Sequence, residues 1–515
     1  MTLKNVRASL KELLGAPYCQ AVVQANAALG LLSEKEADRL ASEPVAFYPE
    51  EQRSRNLALL SRVGEQICPP YQNNNTGAGT DAFMKAAHSH CAPLTGAGCF
   101  RVGEDGRLYF LGKSEHYHAS LGHSFGGYRL IDQARALHIL NATHNNTRGY
   151  VTRLMEREVV AAANGISGRD PKLDAVLASK EPHVLNRVIN LETGSVAAEA
   201  GMKLMLARFY RLDGSYPAPK YAGRIPVFLV MADDHGGLEG NYHGTSVLTQ
   251  TLRGLWPEYT EKLRGAGLYE VVSVLPNDIG DFRAKLERYC EPPYQAAGFI
   301  HEIVMMNYGG VRLTEEYLQA AYRLCHAYDV PTMCDEIQSC MWYPGHLLFR
   351  LYGLDPDVVI LGKGFPGGEY PASRMLTTAP MDTLNQFGAL VTNGQEELAS
   401  LSYLITMKFA RENAEAIASV GARFENGLRA AAEKHRGYVA KAEGRGHLGA
   451  LHFSTVEAAA QFAAAMNAAC IDCSAQLYKT HCPPAVLFKP PLLAEEQHID
   501  FMLDRIDRTL TALGG

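Results

Sequence analysis

The stretch Asp357-Val-Val-Ile-Leu-Gly-Lys-Gly-Phe-Pro-Gly-Gly368 sets one lysine, Lys363, at the end of an apolar run and between two glycines. A desolvated lysine shifts its pKa readily, and a neutral amine at a strand end can form a Schiff base with an aldehyde. On this reading Gly362 and Gly364 let a flat ring approach the backbone. A cation that caps a sheet edge or pairs with a carboxylate is the plainer alternative. A phosphate loop is excluded, because Gly364 rather than Ser or Thr follows the lysine and the other glycines come after it. A second apolar run, Val330-Pro-Thr-Met-Cys-Asp-Glu-Ile-Gln338, ends in Asp335, twenty-eight residues before the lysine. An amine for an aldehyde and a carboxylate for a ring nitrogen are what a pyridine cofactor requires. Thr193-Gly-Ser195, between an apolar run and a helical pattern, offers backbone N–H groups to a phosphate, or simply a helix cap. Asn241-Tyr-His-Gly-Thr245 supplies a ring, Tyr242, that can stack on a cofactor or pack in a core.

These residues need a scaffold that brings strand ends together. Between about residues 150 and 380 the sequence alternates short apolar, β-branched runs with helical periodicity, the pattern of βαβ units. The runs predict strands at 187–191, 226–232, 270–275, 297–304, 332–335, 357–362 and 375–378, and helices at 196–210, 278–290 and 315–328. An α/β fold follows: a mostly parallel central sheet with helices on both faces, its ligand outside the carboxyl ends of the strands. The flanks read as a helical N-terminal part, a hairpin-like stretch at 106–111, a long helix at 396–435 and a final helix at 494–513. The expected division is 1–149, an N-terminal helical segment with part of a small domain; 150–385, the large cofactor-binding domain; and 386–515, the C-terminal part of an α+β small domain.

At 515 residues, 47% hydrophobic and 20% charged with a formal net charge of −6, the composition is that of a globular protein and calls for neither nucleic acid nor a membrane surface. No run of about 18 apolar residues predicts a membrane span. Eleven scattered cysteines read as reduced thiols, which points to the cytoplasm. Cys470-x-x-Cys473 with His481 and Cys482, His88 with His90 and Cys91, and Asp233-Asp-His235 have metal-like spacing, but packed thiols, solvated histidines and a polar loop are the readings adopted, with no metal.

In order and approximate spacing, Thr193-Gly-Ser195, Tyr242-His-Gly244, Pro276-Asn-Asp278, Glu302, Asp335-Glu-Ile-Gln338, Pro356-Asp357, Gly362-Lys-Gly364, Arg445-Gly446 and Pro490-Pro-Leu492 resemble the class III, pyridoxal-phosphate-dependent aminotransferases of fold type I. The resemblance covers about residue 92 to the C-terminus and implies pyridoxal 5′-phosphate as cofactor and transfer of an amino group from an amine or amino acid to an oxo acid. It implies that Lys363 forms the Schiff base and moves the substrate proton, that Asp335 pairs with the pyridinium nitrogen, and that Gln338 bonds the ring hydroxyl. Gly194 and Ser195 would hold the phosphate, Tyr242 with His243 would cover one ring face, and Glu302 would lie near the substrate amine. Arg445 would receive a substrate carboxylate, and His116, Tyr117 and His118, where the family's small domain approaches the cofactor, would touch substrate. Family members are homodimers with interfacial active sites, and Thr392 is the candidate for a phosphate contact across that interface.

The sequence departs from the family pattern. Val196 replaces the glutamate after Ser195, Cys340-Met-Trp-Tyr-Pro-Gly345 replaces a glycine-rich turn, and Lys489 stands just before Pro490. The altered segments leave room for a racemase, decarboxylase or lyase on the same scaffold. A cofactor-binding protein without catalysis is disfavoured, since such a module has no use for both Lys363 and Asp335.

Overall fold

The computed structural model describes residues 2–72, 77–86, 91–232, 244–477 and 484–514. Seven strands form its central sheet: β1 (Leu185–Leu191), β2 (Ile225–Met231), β3 (Glu270–Val274), β4 (Tyr294–His301), β5 (Thr332–Asp335), β6 (Val358–Leu361) and β7 (Ser373–Thr378). Their order is β1-β7-β6-β5-β4-β2-β3. Only β7 runs against its neighbours β6 and β1. All seven strands expected from the apolar runs are present, with ends displaced by up to three residues.

Alternation along the strands explains why the sheet is covered on both faces. In β6, Val358 and Ile360 enter one apolar cluster with Ala197, Ala198 and Met205, while Val359 and Leu361 enter a second with Leu318, Ala321 and Cys325. The first cluster is capped by helix α1 (Gly194–Leu206) and the second by α2 (Glu315–Ala327). Thr193 starts α1 by accepting the Val196 N–H, and Thr314 starts α2 by accepting that of Tyr317.

The helix expected at 396–435 is two: α3 (Glu397–Glu412) and α4 (Ala414–Lys434). Buried Asn413 separates them, its side chain donating to the Phe409 carbonyl at 3.1 Å and accepting the Lys4 N–H at 2.6 Å. An amide that bonds backbone in this way competes with the helix ladder, so the chain turns there. The hairpin-like stretch belongs to a three-stranded antiparallel sheet of Pro93–Ala97, Phe100–Gly103 and Leu108–Phe110.

That small sheet is stitched to the C-terminal segment by Phe110 N–H to Cys470 O (2.8 Å), Lys489 N–H to Gly112 O (2.7 Å) and Leu492 N–H to Ser120 O (2.8 Å). The C-terminal segment adds a four-stranded antiparallel sheet, Val439–Arg445, Leu448–Phe453, Ala485–Phe488 and Ser474–Gln476. Cys470 and Cys473 are buried there, whereas His481, Cys482, His88, His90 and Asp233-Asp-His235 lie outside the described residues. Among the described residues no helix is long and apolar enough to cross a membrane.

Candidate active site

The carboxyl ends of β1, β4, β5 and β6 and the start of antiparallel β7 share one sheet edge, where they enclose a cavity of about 460 Å³. That is the size of a small-molecule site. Each contributing side chain follows its strand closely: Glu192 to Ser195 after β1, Glu302 after β4, Asp335 closing β5, and Lys363 two residues beyond β6. The ladder fixes the central pair, since Asp335 is in register with Ile360, three residues before the lysine.

Asp335 is 8% exposed and one of its oxygens accepts the Ile337 N–H at 2.9 Å, which holds the carboxylate at the strand end. Gln338 donates to Glu302 Oε1 at 2.9 Å, and its own Oε1 is buried with no hydrogen-bond partner among the described residues. A buried acceptor left this way costs free energy until a donor reaches it. The Ile337 side chain forms an apolar floor, so close to Gly194 and Gly362 that a Cβ on either would stand 3.1 or 2.8 Å from it.

Burial pulls the Lys363 ammonium below the ordinary lysine range, and Glu302 and Asp335 oppose that pull without cancelling it. Its backbone is left-handed at φ +37°, a conformation that costs a non-glycine residue roughly 1 kcal/mol and clusters at functional sites. Its Nζ lies 5.2 Å from the centroid of the Tyr117 ring. The flanking glycines stand against the protein's own side chains. A Cβ at Gly364 would sit 2.3 Å from the Trp342 ring, and one at Gly362 would sit 2.5 Å from Ser373 Oγ. Their missing side chains make room for the protein's own neighbours.

Sequence reasoning missed the support beneath the lysine. Lys489 is fully buried, donates to the Gln338 carbonyl at 2.5 Å, and stacks its Nζ 3.4 Å from the Trp342 ring centroid. Burial drives its pKa well below the usual value. Its place before Pro490, a departure already visible in the sequence, was the available signal. A second unread feature is the turn Ser114–Tyr117, four successive non-glycine residues at φ +46, +48, +55 and +74°. Anchors hold it in this left-handed form: Ser114 Oγ donates to Lys489 O at 2.5 Å, and Glu115 meets Arg101 at 2.5 Å and His123 at 2.9 Å. Burial raises the Glu115 pKa, but the His123 and Arg101 contacts outweigh it and bring it to about 2.

Against known proteins, residues 86–510 match the family model described as aminotransferase class-III. The chain belongs to the class-III aminotransferase family. An ornithine aminotransferase of Emericella nidulans is 29% identical over 195 residues, 37% of this chain and 40% of that protein. An acetylornithine aminotransferase of Neisseria meningitidis serogroup B is 28% identical over 200 residues, 38% of this chain and 44% of that one. The chain thus spans well under half the length of these curated relatives. Among solved structures, the ornithine aminotransferase of Plasmodium yoelii superposes with a TM-score of 0.64 at 17% identity, over 85% of this chain and 97% of that one. Adenosylmethionine-8-amino-7-oxononanoate aminotransferase of Methanocaldococcus jannaschii gives 0.65 at 19%, over 85% and 96%.

Of the class-III positions, the fold gathers Gly194, Ser195, Glu302, Asp335, Gln338 and Lys363 around one cavity. Tyr242 and His243 lie outside the described residues, although Thr245, just beyond them, donates to Ser195 Oγ from its N–H at 3.0 Å and its hydroxyl at 3.1 Å. Thr392 is exposed and does not line its own chain's cavity. Two substrate positions are not brought there. Tyr117 is 1% exposed beneath the lysines, while its neighbours His116 and His118 line the cavity instead. Arg445 bonds Glu315 at 2.9 Å and covers the Tyr352 ring at 4.9 Å, because its strand directs it to the helix α2 start and away from the cavity. Glu369, Tyr370 and Ser373, on the approach to β7 and at its start, line the cavity without having been foreseen.

Proposed function

We propose that this class-III member is a pyridoxal 5′-phosphate-dependent transaminase that moves an amino group from a primary amine or amino acid to an oxo acid. The observation that carries it is the pairing of Lys363 and Asp335 at the ends of adjacent strands β6 and β5, both lining one cavity. The residues present fit the cofactor: a helix N-terminus, an amine, a buried carboxylate, an apolar floor and an unpartnered acceptor at Gln338 Oε1. When bound, pyridoxal phosphate supplies an aldehyde for amines and a protonated ring that accepts the electron pair left by a departing proton.

Thr193, Gly194 and Ser195 would hold the phosphate through N–H groups and hydroxyls at the α1 start. Asp335 would keep the ring nitrogen protonated, Gln338 Oε1 would accept from the ring hydroxyl, and Ile337 would lie against the ring. Lys363, whose charged form burial disfavours, would take the proton from the substrate Cα. Glu302, which lines the cavity, would receive the substrate ammonium, and exposed Thr392 would reach the phosphate held by a second copy in a homodimer. A reducing, cytoplasmic setting suits the buried thiols Cys19, Cys99, Cys325, Cys334 and Cys340.

The names of the relatives suggest ornithine and N-acetylornithine as first donors. The test is single-turnover spectroscopy of the cofactor-loaded enzyme with each donor, without oxo acid and then with it. Loss of the visible band with the donor and its return with the oxo acid supports transamination. An unchanged band while amine is consumed or inverted places the enzyme with the lyases, decarboxylases or racemases.

A further inference from the structure

A second cavity, of about 470 Å³, opens at the opposite edge of the sheet, where β1 and β6 begin, and His183, His326 and Asp357 lie in its wall. We propose that His183, His326 and Asp355 form a binding site for a divalent transition metal of the zinc type, remote from Lys363. The three come from separate parts of the chain: the segment before β1, the last turn of α2, and the exposed loop before β6. One ring nitrogen of each histidine and one Asp355 oxygen all lie within 4.8 Å of one another.

Three details make this more than a chance meeting of polar side chains. The imidazoles lie face to face, centroids 4.1 Å apart at 29°, so both rings are already ordered. His326 Nε2 is buried and makes no aligned hydrogen bond among the described residues, although Asp355 Oδ1 lies 3.7 Å from it, while His183 Nδ1 faces Asp357 Oδ1 at 3.1 Å, a contact that raises the His183 pKa. His183 is also held at φ +61°, a left-handed conformation that needs support from its surroundings. A buried ring nitrogen beside a carboxylate without a good hydrogen bond, as at His326, is what a site built around a cation leaves behind.

The donor set selects the ion. Two imidazoles and a carboxylate suit zinc and its first-row neighbours, and three protein ligands leave a fourth position for water. Zinc bonds of about 2.0–2.1 Å place tetrahedral donors roughly 3.4 Å apart, so the widest pair needs to close by up to about 1.4 Å. Asp355, whose side chain is 54% exposed, can supply that movement. Asp357 stands behind His183 as the orienting carboxylate, its other oxygen fixed by the Thr332 N–H at 2.9 Å. A bound ion would tie three segments that lead into strands, stabilising the fold and leaving transamination unchanged.

The test uses the purified, cofactor-loaded enzyme stripped by chelator and titrated with zinc sulfate alone, with bound zinc counted after equilibrium dialysis. One zinc per chain is expected, with affinity at least tenfold weaker in His326→Gln and weaker in Asp355→Asn. Zinc should raise the thermal midpoint of the wild type and not that of His326→Gln. Because Asp355 is on an exposed loop, its variant keeps the test readable if His326→Gln fails to fold. No zinc at one per chain, or an affinity equal in wild type and Asp355→Asn, overturns the proposal; zinc held by thiols elsewhere would give that equality.

Discussion

Lys363 and Lys489 face the same aromatic ring, their Nζ atoms 5.2 and 5.0 Å from the centroid of Tyr117. Lys113 approaches that ring too, at 5.2 Å. Three amines about one phenol ring, in a region poor in water, cannot all hold protons cheaply. The ring offers a face to whichever ammonium is charged, and Lys489 is further held by Trp342 and the Gln338 carbonyl.

The cost of this arrangement should be visible in stability. Burial brings the Lys113 pKa down to about 8, against about 10.4 in an unfolded chain. Between those values the unfolded chain binds more protons than the folded one, so this residue's penalty is full below pH 8 and gone near pH 10. Lys113→Met should therefore be more stable than wild type at pH 7 and lose that advantage as the pH rises from 8 to 10. Denaturant midpoints measured across that range check it; an advantage independent of pH would refute the assignment.

Replacing Lys363 by Ala should abolish the visible band of the cofactor-loaded enzyme and slow transamination by about a thousandfold or more, since positioned proton transfer contributes roughly 10²–10⁴. Absorption and steady-state rates measure both. A band that survives in the variant would show that another amine, such as Lys489 or Lys113, holds the cofactor.

Asp335→Asn removes the charge that keeps a ring nitrogen protonated but retains the shape of the side chain. A charge-assisted hydrogen bond contributes about 1.5–3 kcal/mol, so the turnover number should fall roughly 10- to 150-fold with cofactor still bound. An unaltered turnover number would remove the carboxylate from the chemistry.

Gly364→Ala should destabilise the protein by about 1–3 kcal/mol, because its Cβ would meet the Trp342 ring at 2.3 Å. Trp342→Phe takes away the clashing atoms, so the double variant should lose less stability than the two single losses added together. A double-mutant cycle of unfolding free energies reads that coupling.

How much of this was legible from residue order depends on the kind of contact. The strands were legible because apolar, β-branched runs such as Val358–Leu361 have one natural resting place, between two covered faces. Lys363 and Asp335 were legible because each closes such a run, and short strand ends leave little freedom in direction. The break at Asn413 was not, since helical periodicity continues across it and the competing partner, Lys4, is 409 residues away.

Sequence by itself determined the α/β sheet, the edge at which chemistry occurs, and the amine and acid that meet there, because strand period and strand order carry that information locally. Tertiary structure alone decided that Tyr117 lies under the lysines, that Arg445 turns to Glu315, that Gly364 yields space to Trp342, and that His183 meets His326. Those relationships join residues far apart in the chain, and their energy depends on burial and direction, quantities that exist only once the elements have packed.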